Sequence, residues 1–543
     1  MTPAPPPRSS EVLRWSLPAL LLATLVLVPF LGKAFTMDDT VFLFEARHVL
    51  SDPLHPLAFD MPWNGRMGRV SSMVPTGPGM AWLLVPAVLS SQPEVVAHVL
   101  QLVMLWLAVV STVALALRLG VPTRWSAAAG LLVGVAPAVL GMAGTAMPDV
   151  PAMALGAAGI QQLVAWRDDR RWRQAVLATI LLGLAPLVRT HLVGLWGVGT
   201  LLLAGDVLSP QRFRARPLAR WIPLVAAPCL AAAITLLARD PAPLAGSIAD
   251  AAARYSAWQN VGTNLLAFFA SWTVALPLAV PWAAVHWGRF LGRPLLLLLS
   301  SAAAVALVYF THPLDTPWFV APVAGLSAAV ITDVFADGWR RRDATQVLLG
   351  LWLLLPLPAI AYAHLPAKLL LASAPAAAIL VARALASAHA LGRPVLVATV
   401  LTSCLLGVAV LSADEAFAGR GRDAARTLIA PEVARGRRVY FAGSWGFQWY
   451  ASEAGAVFFP LEPPFPRNGD LVVACRNCEP HILPDEMRAL VPVRRVVHAD
   501  PGGRVMDPGS GAGFFSNRWG YLPWSWSTGI QEAFDVYVVR HLQ

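Results

Sequence analysis

Apolar and polar positions in this chain are segregated into blocks rather than interleaved. Long apolar runs are separated by short polar links as far as about residue 412. A helix needs about 20 apolar residues to cross the ~30 Å hydrocarbon core of a bilayer. Runs of that kind lie at roughly 15–33, 93–117, 125–145, 148–166, 174–188, 191–207, 219–238, 263–287, 294–311, 316–335, 345–363, 366–388 and 394–412. They predict a polytopic α-helical membrane protein with about thirteen transmembrane helices. Residues 77–90 (GPGMAWLLVPAVLS) are apolar too, but the stretch is short and broken by proline, so it is expected to lie in the membrane interface. From Ala413 onward the runs shorten and charges return. Strand-like stretches at Arg438–Ala442, Ala456–Phe459, Leu471–Ala474, Val493–His498 and Phe534–Val539 predict a small α/β domain there. The organisation is therefore a transmembrane domain, 1–412, and a C-terminal domain, 413–543. The Trp/Gly/Ser-rich stretch 513–529 reads as a long loop, and no fixed-period repeat is visible.

Composition strengthens this reading. The 543 residues are 57% hydrophobic and only 13% charged, with a mean hydropathy of +0.59. Soluble domains carry about 25% charged residues, so lipid has to serve as part of the solvent. The formal charge of +10 would suggest nucleic acid in a soluble protein, but here the arginines sit between the apolar runs and act as topology signals. With the N-terminus in the cytoplasm, the clusters Arg167–Arg173, Arg212–Arg220 and Arg340–Arg342 all fall inside. Counting 77–90 as a span would put those clusters outside. The first outer loop then covers about 34–92, and the C-terminal domain is extracytoplasmic, on the outer face of the inner (plasma) membrane. The first apolar run is too long for a signal-peptide core and reads as an uncleaved helix.

This sidedness collects Asp38, Asp39 and Asp149 on the outer face, with Arg66, Arg69, Arg189 and Lys368 as candidate cations. Asp38 and Asp39 follow the first span by about five residues, where a rigid helix end holds a carboxylate at the bilayer surface. One of the pair could simply cap the helix that follows, and Asp149, in Met-Pro-Asp-Val-Pro, could do the same for its own helix. The cations could be ordinary interfacial side chains with their heads in the headgroup region. His55, His191, His312 and His364 show no metal-ligand spacing, and no metal ligands are assigned. Cys475 and Cys478 form one CxxC. It can close a local disulfide in an oxidising compartment, or supply half of a four-ligand metal site. Trp519, Trp524 and Trp526 read as an interfacial aromatic belt or as a platform for stacking on a sugar.

Several of these segments resemble a known family. Met37-Asp38-Asp39 followed by Glu45-Ala46-Arg47 is similar to its acidic pair and following helix. Asp52–Pro56 and Phe59–Trp63 resemble its loop segments. Met147-Pro148-Asp149-Val150-Pro151 resembles its second acidic motif. GLAPLVRTHLVG (183–194) resembles a segment that often carries a basic residue, here Arg189, and HLPAKLLLASAP (364–375) resembles its late segment. In this order the chain resembles the GT-C superfamily of glycosyltransferases that use polyprenyl-phosphate sugars, on the branch of protein O-mannosyltransferases and lipid A aminoarabinose transferases. The likeness covers about residues 15–410. It departs where the family usually has Asp-Glu, and where many members have a Pro-Pro pair; this chain has Val74-Pro75-Thr76-Gly77-Pro78.

The resemblance implies an inverting transfer of a hexosyl or pentosyl group from a polyprenyl-phosphate donor to a protein, lipid or glycan acceptor. A polyprenyl phosphate leaves without a general acid, so one base suffices. Asp38 would be that base. Asp39 would orient the acceptor or a metal, and Asp149 would support them. Arg66, Arg69, Arg189 and Lys368 would bind the donor phosphate. A divalent metal is left open as a cofactor. The alternative is a transporter or lipid flippase without covalent chemistry. Such proteins often show repeated halves and mid-membrane charges, whereas these charges gather at one face.

Overall fold

The computed structural model describes residues 8–63, 66–73, 76–207, 219–241, 258–311, 318–460, 465–479 and 489–540. Each of the predicted apolar runs falls on a helix. Among the described residues, seven helices are long and apolar enough to cross a membrane, and two bent pairs pass the same test together. Helix Asp149–Asp169 and the shorter apolar helices Trp172–Val188, Thr190–Ala204 and Pro294–Tyr309 take up the remaining runs. The chain is a multi-pass membrane protein. Residues 77–90 form two short helices, Gly79–Leu83 and Val85–Val88, neither long enough to span.

Burial sorts the helices into lipid-facing and central ones. Ser9–Phe30 is mostly exposed, with Leu13, Leu17, Leu21 and Leu25 spaced by four so that they form one outward stripe. Ala367–Ser387 is almost wholly enclosed. Alanine is the commonest residue of the buried core. At Gly407 an added Cβ would come within 2.4 Å of Leu140 Cδ1, the close approach expected where dispersion and not water drives helix packing.

Two helices break inside the bundle. Thr123–Gly134 and Pro137–Ala143 meet at 55°, and Trp258–Val274 and Ala279–Val285 at 59°. Pro137 and Pro277 account for the breaks, because proline removes an N–H and clashes with the preceding turn. The Ala138 N–H donates to the Ala275 carbonyl at 3.0 Å. One break therefore satisfies a backbone group exposed by the other, as a non-aqueous interior requires.

The last long helix, Gly392–Ala424, has 33 residues, about 50 Å at 1.5 Å per residue. It outruns the bilayer and carries the chain past the predicted boundary at 412. It continues through one π-turn, Ala425–Ile429, into Ala430–Ala434. Beyond it lies a five-stranded mixed sheet in the order Val457–Phe458, Val439–Ala442, Leu471–Cys475, Glu532–Val539, Leu490–His498. These are the five predicted strands, with shifted ends. The first three run parallel, and Glu532–Val539 is antiparallel to both its neighbours. Helix Trp445–Glu453 and the 513–529 stretch join this sheet to the bundle. In the first outer loop a hairpin that was not anticipated pairs Asp60–Trp63 with Arg66–Arg69.

Candidate functional site

After the first helix the chain turns sharply. Met37 takes φ 39°, a left-handed conformation uncommon for a residue other than glycine. The turn is closed from both ends. The Asp39 N–H donates to the Thr36 carbonyl at 2.9 Å, and the Thr36 N–H donates back to Asp39 Oδ2 at 2.9 Å. Asp39 Oδ1 accepts from the Ala146 N–H at 2.8 Å, in the second outer turn. Asp39 is fully buried. Burial pushes its pKa up to about 7, against the pull of Lys33 and the two backbone donors. Asp39 is thus a strut between the two acidic loops.

Asp38 is built differently. It stands at the N-cap of helix Asp39–Val49 but makes no side-chain cap bond. Oδ2 accepts from Lys368 Nζ at 2.9 Å. Its side chain is 39% exposed and so stays partly open. Burial raises its pKa, but Lys368, His364 and Arg189 outweigh this and hold it below the usual carboxylate value.

Lys368, the fifth residue of the late motif, lies on the 3₁₀ turn Ala367–Ser373 and is itself buried. Its Nζ also lies 3.7 Å from Met147 Sδ and 5.9 Å from the centre of the Phe515 ring. Two residues after Met147, Asp149 opens helix Asp149–Asp169. It makes no cap bond and accepts instead from Arg189 Nη2 at 2.8 Å. Arg189 sits at the break between helix Trp172–Val188 and the 3₁₀ turn Thr190–Val193. The first outer loop passes against this break: an added Cβ at Gly77 would fall 2.3 Å from the Leu187 carbonyl oxygen. Asp38, Asp149, Arg189 and Lys368 therefore gather in one neighbourhood, with Asp39 bracing it from behind.

Of the two other candidate cations, Arg69 does not join them. Arg69 forms a bidentate pair with Asp240, at 2.7 and 3.0 Å, and Ser71 Oγ donates to the same carboxylate. It ties the hairpin to the 240 link. Strand Arg66–Arg69 is described, but the Arg66 side chain lies outside the described residues, as do Val74, Pro75 and His312. His55 pairs with Asp52 at 3.0 Å. His364 meets Ser516 Oγ at 3.0 Å, and burial, then the nearby Lys368, lower its pKa to about 3. This donor set does not fit a divalent cation. Each carboxylate already holds a cation or backbone N–H groups, and a metal would have to displace Lys368 from Asp38. Among the described residues the one close group of three possible metal donors is Cys475, Cys478 and Glu532, where the two cysteines are joined as a disulfide.

The sequence reading missed several residues. Lys33 and Asp414 form an enclosed ion pair at 2.8 Å, and Thr36 Oγ1 donates to the same Asp414 at 3.0 Å. The chain has two lysines, and both are buried against aspartates beside the acidic pair. That scarcity was the available signal. Asn517 Oδ1 accepts from the Leu365 N–H at 2.8 Å, and Arg518 Nε donates to the Ala363 carbonyl. The 513–529 stretch thereby closes over the late motif. From the C-terminal domain, Tyr450 Oη accepts from the Phe35 N–H and donates to Glu94, both at 2.9 Å. The Trp445 carbonyl accepts from Thr40 Oγ1 at 2.6 Å. Glu45, two turns along the helix from Asp38, is buried with neither oxygen partnered among the described residues.

No protein-family model matches the chain, and no curated protein matches it. Similar solved structures include ArnT from Cupriavidus metallidurans bound to undecaprenyl phosphate, 15% identical, with 90% of this chain and 97% of that one covered at a TM-score of 0.44. An oligosaccharyltransferase from Archaeoglobus fulgidus in the apo form is 15% identical, with 67% and 56% covered, at 0.31. The arabinofuranosyltransferase AftD from Mycobacteria is 13% identical, with 99% and 40% covered, at 0.40.

Proposed function

We propose that this protein is an inverting glycosyltransferase that moves a sugar from a polyprenyl-phosphate donor to an acceptor hydroxyl at the outer face of the inner membrane. Thirteen helices within residues 1–412 form the transferase domain, with the N-terminus cytoplasmic and residues 413–543 outside. The observation that carries the reading is the contact of Asp38 with Lys368. A partly open carboxylate from the first loop meets a buried cation from the late motif.

In the reaction the acceptor O–H gives its proton to Asp38 as the new C–O bond forms at the anomeric carbon. The bond from that carbon to the phosphate oxygen breaks on the opposite side, and the electron pair leaves with the polyprenyl phosphate. Displacement from one side inverts the configuration. Lys368 and Arg189 bind the departing phosphate. When Lys368 turns to the phosphate, Asp38 loses the interaction that lowers its pKa and becomes a stronger base. Asp149 holds Arg189 in place. Asp39 is a positioning residue here and does not bind the acceptor, because its oxygens are taken by backbone donors. Arg69 serves the loop and not the phosphate, because its guanidinium is committed to Asp240. Arg66 remains a phosphate-binding candidate.

The test is Asp38→Asn in reconstituted vesicles with a polyprenyl-phosphate sugar. Transfer is expected to fall by about 10²–10⁴-fold, the usual share of general-base catalysis, while insertion and folding persist, since Asn Oδ1 can still accept from Lys368. Full transfer by this variant would remove Asp38 as the base. Movement of lipid or solute by the parent protein without covalent change would replace the reading with transport.

A further inference from the structure

A cavity lies at the far end of helix Ala374–Ser387 from Lys368. Helix Ala374–Ser387 starts six residues after Lys368 and runs for 14 residues, about 21 Å. At that far end an open cavity of about 560 Å³ is lined by Val285, His286, Gly288, Arg289, Arg341, Ser387 and Ala388. The proposed transfer reaction uses none of these residues.

The charge around it is unbalanced. Arg289 Nη1 lies 3.0 Å from Asp337 and 3.6 Å from Asp333. Arg293 shares Asp333, and Arg340 and Arg341 share Asp337. Four guanidinium groups thus compete for two carboxylates, and Arg341 stays 59% exposed. The two aspartates fix the arginines in position without neutralising them, so an anion is the complement that the cavity lacks. Exposed apolar side chains flank the lining along the chain and form its apolar rim in sequence: Trp287 and Leu291 lie on either side of Gly288 and Arg289, Trp339, 80% exposed, comes two residues before Arg341, and Leu391 three residues after Ala388. Tryptophans at helix ends mark the headgroup level of a bilayer. An anion that meets both this rim and the arginines carries its own hydrocarbon.

We infer that this cavity binds the phosphate headgroup of an anionic phospholipid, with Arg289 and Arg341 on the phosphate and Ser387 within the same wall. Basic pockets between transmembrane helices are a known form of headgroup recognition. The inference rests on the chain being a membrane protein and is independent of the transfer reaction. The shared chemistry is a phosphate anion, and the apolar rim selects the lipid over the free ion.

The full-length protein is purified from vesicles of phosphatidylcholine containing phosphatidylglycerol, and retained lipid is counted by native mass spectrometry. The parent is expected to keep phosphatidylglycerol in preference to phosphatidylcholine. R341Q, a change at an exposed position, is expected to reduce that retention several-fold, and R289Q with R341Q roughly tenfold or more, following the ~1 kcal/mol per basic residue seen at anionic surfaces. R124Q, an exposed arginine outside the cavity, is expected to change nothing, which separates the site from general surface charge. Thermal unfolding of R341Q guards against misfolding. Undiminished phosphatidylglycerol in folded R341Q and in the double variant overturns the proposal. So does displacement of the lipid by millimolar inorganic phosphate, which makes the site one for a free anion.

Discussion

Asp38 and Asp39 are chemically identical neighbours with opposite employment. The carboxylate of Asp39 takes two backbone N–H bonds from two loops and has no exposed surface. That of Asp38 takes one charged partner and stays partly open. Asparagine at each position separates the two. Asp39→Asn turns one acceptor into an N–H donor facing another N–H donor. A buried polar group left unsatisfied costs about 1–3 kcal/mol, so this variant is expected to unfold at lower temperature with or without substrate. Its folded fraction should transfer sugar better than Asp38→Asn does. Equal melting temperatures for Asp39→Asn and the parent would remove the strut. That an acidic pair stood at the membrane surface was legible from the chain. Which member was structural was not, because the choice rests on the Ala146 N–H, 107 positions away.

Individual elements are held to the site by buried charge. Lys33, beyond the first helix, and Asp414, on helix Gly392–Ala424, are both almost wholly enclosed. Enclosed ion pairs add little net stability over apolar groups of the same shape, but removing one partner strands a charge, at a cost of about 3–5 kcal/mol. Asp414→Ala is expected to lose about that much in detergent, read by thermal unfolding. Lys33→Met with Asp414→Leu should recover most of it. If the double variant is as unstable as the single one, the pair's charge is not the cause. Hydropathy placed both helices but hid this contact. Lys33 closes the first apolar run, and Asp414 falls at the point where the last one ends. Arg69 misled for a similar reason, since its partner Asp240 lies in a different link.

At the scale of the whole molecule, the C-terminal sheet and the bundle share an interface containing the turn before Asp38. Gly446 packs so close to the Phe35 carbonyl oxygen that an added Cβ would lie 2.0 Å from it. The Ser444 N–H donates to the Cys478 carbonyl at 2.6 Å, which ties the disulfide loop to the same turn. Beside that loop Glu532 is buried, and burial lifts its pKa to about 7 against the backbone N–H groups of Asn477, Ala533 and Arg476. Asp39 is lifted to about the same value. A carboxylate whose folded pKa exceeds its unfolded one binds more protons when folded. The stability it contributes is therefore complete below about pH 4 and declines as pH rises through about 7. The lowered pKa values of His364 and Asp38 act in the opposite sense, removing stability as pH falls below their unfolded values. Between pH 6.5 and 8 the melting temperature of the parent is therefore expected to fall relative to that of Glu532→Gln, which keeps an acceptor oxygen but does not titrate. A variant with the parent's full slope would show that Glu532 does not contribute to it.

The sequence by itself determined the helices, their order and the positions of the five C-terminal strands. Hydropathy and alternation are local properties, readable over about 20 residues for a span and about five for a strand. It also marked both acidic motifs, because charge beside an apolar run is conspicuous. The tertiary structure alone decided which charges meet. Asp38 with Lys368 and Lys33 with Asp414 are separated by more than 300 positions. Each charge needs a partner once it leaves water, and only packing settles which partner lies within reach. The same packing carried the last helix past its predicted end and brought the 513–529 loop over the late motif, where no local pattern required it.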